Sequence, residues 1–588
     1  MDNEKLDGLS LDIETAERDK LRAVFPSCFT DGKLDIDKLL NLCGEYISDD
    51  FEKYEFRWKG KTEALRLAAK RSAGTLRPAP DESVDFDTTQ NLYIEGDNLE
   101  VLKLLQTSYY RKVKMIYIDP PYNTGNDFVY ADDFADPLAR YKEVTQQTTK
   151  SNPETMGRFH TNWLNMMYPR LRLAANLLRD DGVIFISIDD NEVRNLRIIC
   201  DDVFGEENFV CQFIWKSKLG KVGTTSTISS THEYILCYGK HVSDLSFKMI
   251  ERTNDGRREN LRQWGQADRR EDRPSMWYPI TINGIDIYPI KEDGTEGRWR
   301  IGRETADELL KNGALEAVQK GDRYDIYRNF EAGTSVIPYD TMLLDEIGTT
   351  AKGSLTLKEL GLNKLFDYSK PVELVKFFAN LCTSGEDIIL DFFSGSATTA
   401  HAVMQLNAED GGNRRFALVQ LPEVCDEKSE AAKAGYANIC EIGKERIRRA
   451  ALKIRNAECE IRNRKDEKQL TLGDNSEFRT PNSALDTGFR VFKLDSSNLK
   501  LWDDSPISGD DAVTLFTQRL YEHIDILKAD RSDTDVVYEV MLKLGQDLCE
   551  PILPLNINGK TVYGVCNAPD EQGRRNAPFS RSENAGGT

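Results

Sequence analysis

Residues 114–122 read KMIYIDPPY. A compact, mostly apolar run ends abruptly at Asp119, Pro120, Pro121 and Tyr122. Asp and Pro are turn formers, so a tight turn at a strand end accounts for part of the pattern. Two successive prolines, however, leave the backbone little freedom. They hold Asp119 and Tyr122 rigidly at the strand's carboxyl end, where open α/β sheets bind their ligands. Outward from this point, NLYIEGDN (91–98), GVIFISIDD (182–190), HEYILCY (232–238), DIILDFFSGS (387–396) and RFALVQL (415–421) are similar short runs bounded by turn residues. Amphipathic segments such as 99–110 and 162–181 lie between several of them. Apolar strands alternating with helices predict an α/β fold with a doubly wound, mostly parallel sheet.

The chain of 588 residues is 39% hydrophobic and 30% charged, an ordinary globular composition that excludes a disordered or fibrous protein. Its N-terminus has neither a basic nor an apolar leader region, and no stretch reaches the length of a membrane span, so a cytoplasmic protein is expected. Eleven cysteines without a C-x-x-C pair suit buried thiols in a reducing compartment. Five histidines without ligand spacing predict no metal. The segments read as a helical N-terminal region (1–73), a Pro- and Gly-containing linker (74–90), the first half of the α/β domain (91–207) and an irregular insert (208–347). The insert's first strands, to about 240, belong to the sheet. A second half (348–465), a polar linker (466–488), a small C-terminal domain (489–566) and a disordered tail (567–588) follow.

A second motif lies far from the first. In 387–403, DIILDFFSGSATTAHAV, a strand ends in Asp391, a small-residue loop covers Ser394 to Ala397, and a helix starts at Thr398 and Thr399. Such a loop lets backbone N–H groups meet a cofactor. Alone it is weak, since many such loops only pack tightly. It lacks the glycine-lysine of a phosphate-binding loop, which argues against nucleoside triphosphate hydrolysis.

Together the two motifs resemble those of the amino-methyltransferases that methylate exocyclic amines of DNA bases. In that family D-P-P-Y is catalytic and D-x-F-x-G-S-G-T-T holds S-adenosylmethionine. The order here resembles the circularly permuted β class, with a target-recognition module between the motifs. Further blocks are similar: Gly96-Asp97-Asn98-Leu99, His160 with Trp163 and Leu164, His232-Glu233-Tyr234, Phe366 to Pro371, the LVQLPE strand and the EIGKERIRRA helix. The chain most resembles the modification subunit of Type III restriction-modification systems. That resemblance implies catalytic roles for Asp119, Pro120, Pro121 and Tyr122. It also implies cofactor contacts from Asp97, Asn98, Lys370, Pro371, Asp391, Phe393, Gly395, Ser396, Thr398 and Gln420. Partners would be duplex DNA, a second copy of the chain and a helicase-nuclease restriction subunit. Two positions depart from the pattern: Ala397 replaces a usual glycine, and Gln420 stands where an acid commonly holds the ribose, with Glu423 an alternative.

The net charge of −20 argues, as a total, against a polyanion partner. Its distribution says otherwise. Residues 1–52 hold 14 acids against 6 bases and 501–588 hold 15 against 8, whereas 53–77 carry 8 bases and 2 acids. Within the insert, 252–273 has seven arginines and five acids. Phosphate and guanine contacts are expected from Arg257, Arg258, Arg262, Arg269 and Arg270, with Trp215, Lys216, Lys218 and Lys221 along the DNA path. A solvated, salt-bridged face is the competing account of any single arginine. The favoured activity is adenine-N6 methylation of duplex DNA after base flipping. Cytosine-N4 methylation, a catalytically silent DNA-recognition subunit and RNA methylation stay open.

Overall fold

The computed structural model describes residues 9–25, 28–30, 33–34, 36, 39, 56–124, 156–219, 228–254, 257–330, 333–344, 346–366, 368–469, 485–500, 512–522 and 526–565. They fall into two compact units, Met1–Phe247 with Thr341–Thr588, and Lys248–Asp340.

The first unit is organised by a ten-stranded sheet. In chain order its strands are β1 (Gly74–Pro78), β2 (Leu92–Glu95), β3 (Val113–Ile118), β4 (Leu178–Ile188), β5 (Phe209–Trp215), β6 (Glu233–Gly239), β7 (Met342–Leu343), β8 (Ile388–Asp391), β9 (Arg415–Gln420) and β10 (Arg490–Ser496). In space the order is β7-β5-β6-β4-β3-β8-β9-β2-β10-β1. β4, β3, β8, β9, β2 and β10 are mutually parallel. β6 is antiparallel to β4 and β5, and β1 to β10. All six residues of β3 are buried, as are the four of β8. Side chains alternate across a strand, so burial of both sets means that both faces are covered.

The helices that matter for the site are α1 (Asn98–Ser108), α2 (Met156–Leu177), α3 (Val193–Phe204), α4 (Val372–Cys382), α5 (Thr398–Asp410), α6 (Ile439–Gln469) and α7 (Asp533–Lys543). Trp163, Met167 and Leu171 repeat at helical spacing along α2 and are fully buried. Phe378 of α4 stacks on Phe185 of β4 with centroids 4.3 Å apart. From β3 the chain runs through α2 to β4 on one side, whereas from β8 it runs through α5 to β9 on the other. β3 and β8 are adjacent, so the connections diverge between them. Their carboxyl ends form the topological switch point where α/β sheets open a crevice.

Several expected boundaries differ. Residues 74–90 are not an exposed linker: Gly74–Pro78 is the sheet's edge strand, with Pro78 opposite Phe492 and Gly74 opposite Ser496. The prolines misled because Pro is tolerated at an edge. Glu82 then forms ion pairs with Lys444 and Lys493. Residues 489–566 are not a separate domain either. Arg490–Ser496 is inserted between β2 and β1, and α7 packs against β1 and α1. The inserted unit, Lys248–Asp340, ends earlier than the expected 347 because β7 also joins the main sheet, beside β5. It has its own core of Leu261, Tyr278, Ile280, Ile287, Trp299, Ala306, Leu315 and Ile326. The N-terminal segment contains helices Ile13–Val24 and Lys61–Ala69, the latter against α2. Residues 470–484 of the expected second linker and the tail 567–588 lie outside the described residues. Among those described, no helix is long and apolar enough to cross a membrane.

Arg490 fastens the C-terminal segment to the sheet. Its fully buried guanidinium donates to the carbonyls of Thr89, Asp87, Leu548 and Cys549 and to the Tyr538 hydroxyl, at 3.0–3.3 Å. Arg490→Met would leave several buried acceptors unpaired, each costing about 1–3 kcal/mol. A thermal midpoint at least several degrees lower is expected by calorimetry, and an unchanged midpoint would remove this role.

Candidate active site

Asp119 follows the last residue of β3 directly. The turn behind it is fixed by Trp163 of α2, whose indole N–H donates to the Pro121 carbonyl at 2.7 Å. Asn123 takes the left-handed region, φ 54°, which Asn tolerates better than most residues. Its amide donates to the buried Glu192, which also meets His160 Nδ1 at 2.6 Å and accepts from Asn195 at 2.7 Å. The prolines restrict the turn from within and these bonds restrain it from outside.

Four polar side chains from three distant segments meet in front of the turn. Lys370 Nζ lies 2.9 Å from Asp119 Oδ1 and 3.4 Å from Glu233 Oε2. It donates to the Tyr122 hydroxyl at 2.8 Å, and that hydroxyl donates to Glu233 at 3.1 Å. Burial raises the Asp119 pKa against the opposing pull of Lys370. Burial alone would lower Lys370, but Asp119 and Glu233 raise it on balance. Tyr122 is raised far above its ordinary value by burial and by both carboxylates, so it remains a neutral phenol. With both acids ionised and Lys370 protonated, the cluster carries one net negative charge. Lys370 Nζ stands 4.8 Å from the Tyr122 ring centroid and 5.8 Å from that of Trp215.

The small-residue loop lies beside this cluster, after β8. Asp391 accepts from Phe393 N at 3.1 Å and from the Thr399 hydroxyl at 2.6 Å, bracing the loop from below. Gly395 has φ +49°, and a Cβ there would meet the Phe366 ring at 3.2 Å. Its N–H donates to Gln420 Oε1 at 2.6 Å. Ala397, where a glycine was expected, sits at φ 61° and is fully buried. An L-residue there costs about 1 kcal/mol, which is the physical reason for glycine at such a position. Ser369, Ser396 and Thr398 hydroxyls are mutual neighbours, 3.0–3.5 Å apart. Pro371, directly after Lys370, is the N-cap residue of α4.

The remaining expected residues are placed as follows. Asp97 caps α1 through the N–H groups of Leu99 and Glu100, at 3.0 and 3.1 Å, and pairs with buried Arg170 at 3.2 Å. Asn98 is wholly buried. Its amide donates to the Phe392 carbonyl at 2.7 Å and accepts from Arg170, so it joins α1 to the loop strand instead of presenting a free group to a ligand. Glu423 is half-buried, and burial pushes its pKa up to about 7. Trp215 is a correction: it is 0% exposed and its N–H donates to the Gly348 carbonyl at 2.8 Å, because its strand joined the sheet interior. It forms part of the wall behind Lys370, not an exposed DNA path. Lys216 is half-buried and Lys218 exposed, while Lys221 and Asp367 lie outside the described residues. In the second unit Arg257, Arg258, Arg269 and Arg270 are exposed and Arg262 is half-buried. Arg257 pairs with Glu259 at 3.2 Å, Arg258 with Glu316 at 3.0 Å and Arg270 with Glu296 at 2.8 Å. Three of these arginines are thus salt-bridged on an exposed stretch that also holds Trp264, 71% exposed.

Glu233, Glu192, Arg170 and Arg446 are site residues that composition and spacing left unassigned. Glu233, Arg170 and Arg446 each lie in a stretch that carries the resemblance, the H-E-Y strand, the Pro169-Arg170-Leu171 turn of α2 and the EIGKERIRRA helix, whereas Glu192 carried no signal.

Residues 113–452 match the family model for DNA methylase. The chain is 34% identical over 490 residues to the Mod subunit of the Type III restriction-modification enzyme EcoPI of Escherichia phage P1, covering 74% of this chain and 75% of the relative. It is 33% identical over 541 residues to the EcoP15I Mod subunit of Escherichia coli, covering 79% and 81%. The Type II methyltransferase M.KpnI of Klebsiella pneumoniae is 33% identical over 379 residues, covering 60% of this chain and 86% of its own length. The chain therefore belongs to the N6/N4 DNA methylases and, within them, to the Mod subunits of Type III restriction-modification enzymes. It is a DNA methyltransferase whose methyl donor is S-adenosylmethionine.

Burial raises the Asp391 pKa from 3.8 to about 7. Between those values the unfolded chain ionises while the folded chain keeps its proton. Stability therefore falls as pH rises from about 4 to about 7, by about 4 kcal/mol at most. Asp391→Asn should be more stable than the parent at pH 8, with a smaller gain at pH 5, in thermal unfolding of the cofactor-free protein. An equal difference at both pH values would contradict the assignment.

Proposed function

We propose that the chain methylates the N6 amino group of adenine at a specific sequence in duplex DNA, as the modification and recognition subunit of a Type III system. The observation that carries this is the Asp119, Tyr122, Glu233 and Lys370 cluster at the switch point, one residue from Ser369 and the cofactor loop. The adenine amine is a poor nucleophile because its lone pair is delocalised into the ring. Asp119 and the Pro120 carbonyl accept its two N–H groups and draw the lone pair out of conjugation. Tyr122 stacks on the base. Lys370 Nζ marks the position of the amine, since a cation donating to Asp119 is what the incoming N–H replaces. S-adenosylmethionine, when bound, supplies the electrophilic methyl group. Asp391, Phe393, Gly395, Ser396, Thr398, Gln420, Lys370 and Pro371 surround it, and Asp97 with Asn98 brace that wall. The rigid turn contributes positioning, and the half-buried carboxylates contribute local electrostatics.

Because the amine is paired inside a duplex, the base must be flipped out, at a cost of a few kcal/mol. Tyr122 offsets part of this. Arg257, Arg258, Arg262, Arg269 and Arg270, with Lys216 and Lys218, engage phosphates and base edges by exchanging their glutamate partners for DNA. The chain works as a dimer in the cytoplasm, with a helicase-nuclease restriction subunit as further partner.

Purified protein incubated with duplex DNA and S-adenosylmethionine should yield N6-methyladenine on nucleoside analysis. Asp119→Ala should lower the rate by at least about a hundredfold without weakening cofactor binding. N4-methylcytosine as product, or an Asp119→Ala enzyme of normal rate, would overturn the assignment.

A further inference from the structure

Arg446 lies on α6, in the stretch EIGKERIRRA, which reads as an exposed basic helix. Its side chain is instead 0% exposed. Nη1 donates to the hydroxyls of Ser369 at 2.9 Å, Ser396 at 2.8 Å and Thr398 at 2.7 Å, and to the Ser396 carbonyl at 3.3 Å. Nε and Nη2 are also buried and meet no hydrogen-bond acceptor among the described residues. Every contact is to a neutral group. The neighbouring His401 is a neutral imidazole, since burial and the nearby cations hold its pKa down to about 3. Burial alone pulls the Arg446 pKa down, to about 9, so the guanidinium stays protonated at neutral pH.

A buried cation with no facing acid is one of the costliest features a core can hold, because neither water nor a counter-ion repays its desolvation. Its surroundings indicate what completes it. Ser396 and Thr398 belong to the loop after β8, and Thr398 is the first residue of the 13-residue α5, whose N-terminus adds a favourable field for an anion. Ser369 precedes Lys370, which faces Asp119 and Glu233. The Ser369-Lys370 step therefore separates a cation paired with no acid from a cation that faces two carboxyl groups, Asp119 and Glu233. The amino-acid end of S-adenosylmethionine has the complementary pattern. Its carboxylate is its only anionic group, and three carbon atoms separate it from the cationic sulfur.

We propose that Arg446, with the Ser369, Ser396 and Thr398 hydroxyls, is the seat of the methionine carboxylate of S-adenosylmethionine. The assignment rests on the S-adenosylmethionine-dependent reading above and adds to it a positioning residue on α6. Holding the carboxylate there directs the other end of the amino-acid chain towards the carboxylates of Asp119 and Glu233.

The test compares two nucleosides by calorimetry: S-adenosylhomocysteine, which carries the carboxylate, and 5′-methylthioadenosine, the same adenosine thioether without the amino acid. Arg446→Met should weaken S-adenosylhomocysteine by about ten- to a hundredfold, the range of a charge-assisted hydrogen bond. 5′-Methylthioadenosine should change less than about twofold by the same comparison. An equal loss for both ligands, or none for either, overturns the Arg446 assignment alone. Wild-type protein that binds neither overturns the cofactor reading with it. Should Arg446→Met fail to fold, wild-type protein is titrated with the α-carboxamide of S-adenosylhomocysteine. Binding at least tenfold weaker than the acid supports the proposal, and equal binding overturns it.

Discussion

Two buried strands, β3 and β8, run parallel and adjacent while their connections leave in opposite directions, and the chemistry depends on that constraint. It places Asp119 and Asp391 at the same edge of the sheet although 272 positions separate them. Burial on both faces leaves the register open. In a strand, slipping by one residue would exchange the sets facing either side, but here both sets are mostly apolar, with Lys114 and Asp391 the charged exceptions, so the helices above and below must supply the lock. Trp163 supplies one on α2 through the Pro121 carbonyl, and Asn98 supplies another on α1 through the Phe392 carbonyl. Each helix thus holds one of the two loops.

The electrostatics follow from the same crowding. The crevice gathers Asp119, Glu233 and Lys370 with little exposure, and Arg446 lies beyond Ser369 with no acid paired to it among the described residues. Separated charges of this kind are expensive in an empty site. They are arranged for a ligand that is cationic at one end and anionic at the other, and this complementarity orients the ligand before any contact with its nucleoside. Asp391, by contrast, is buried behind the loop, where burial raises its pKa to about 7, and it braces the loop through Phe393 N and the Thr399 hydroxyl.

Much of this was legible in the sequence. Asp119 with two prolines, and the loop from Asp391 to Thr399, carry local signals strong enough to define the fold class and the family resemblance. What escaped depends on partners distant in sequence. GTLRPAP contains two prolines and resembles a linker, and only its pairing with Arg490–Ser496 makes it an edge strand. The C-terminal segment resembles a separate domain for the same reason. Trp215 suggests a nucleic-acid contact until its indole is seen buried, donating to the carbonyl of Gly348, 133 positions on. Arg446 lies among several basic residues of one helix, and no periodicity distinguishes the buried cation from the solvated ones.

The central claim is that the place now held by Lys370 Nζ, against Asp119 and Tyr122, is the place of the target amine. The most direct measurement is a structure of the chain with S-adenosylhomocysteine and a duplex containing its site. The account predicts a flipped adenine stacked on Tyr122, its N6 about 3 Å from Asp119 Oδ1, with Lys370 withdrawn from that oxygen. A flipped base lying elsewhere, with the Lys370 to Asp119 ion pair intact, would contradict it.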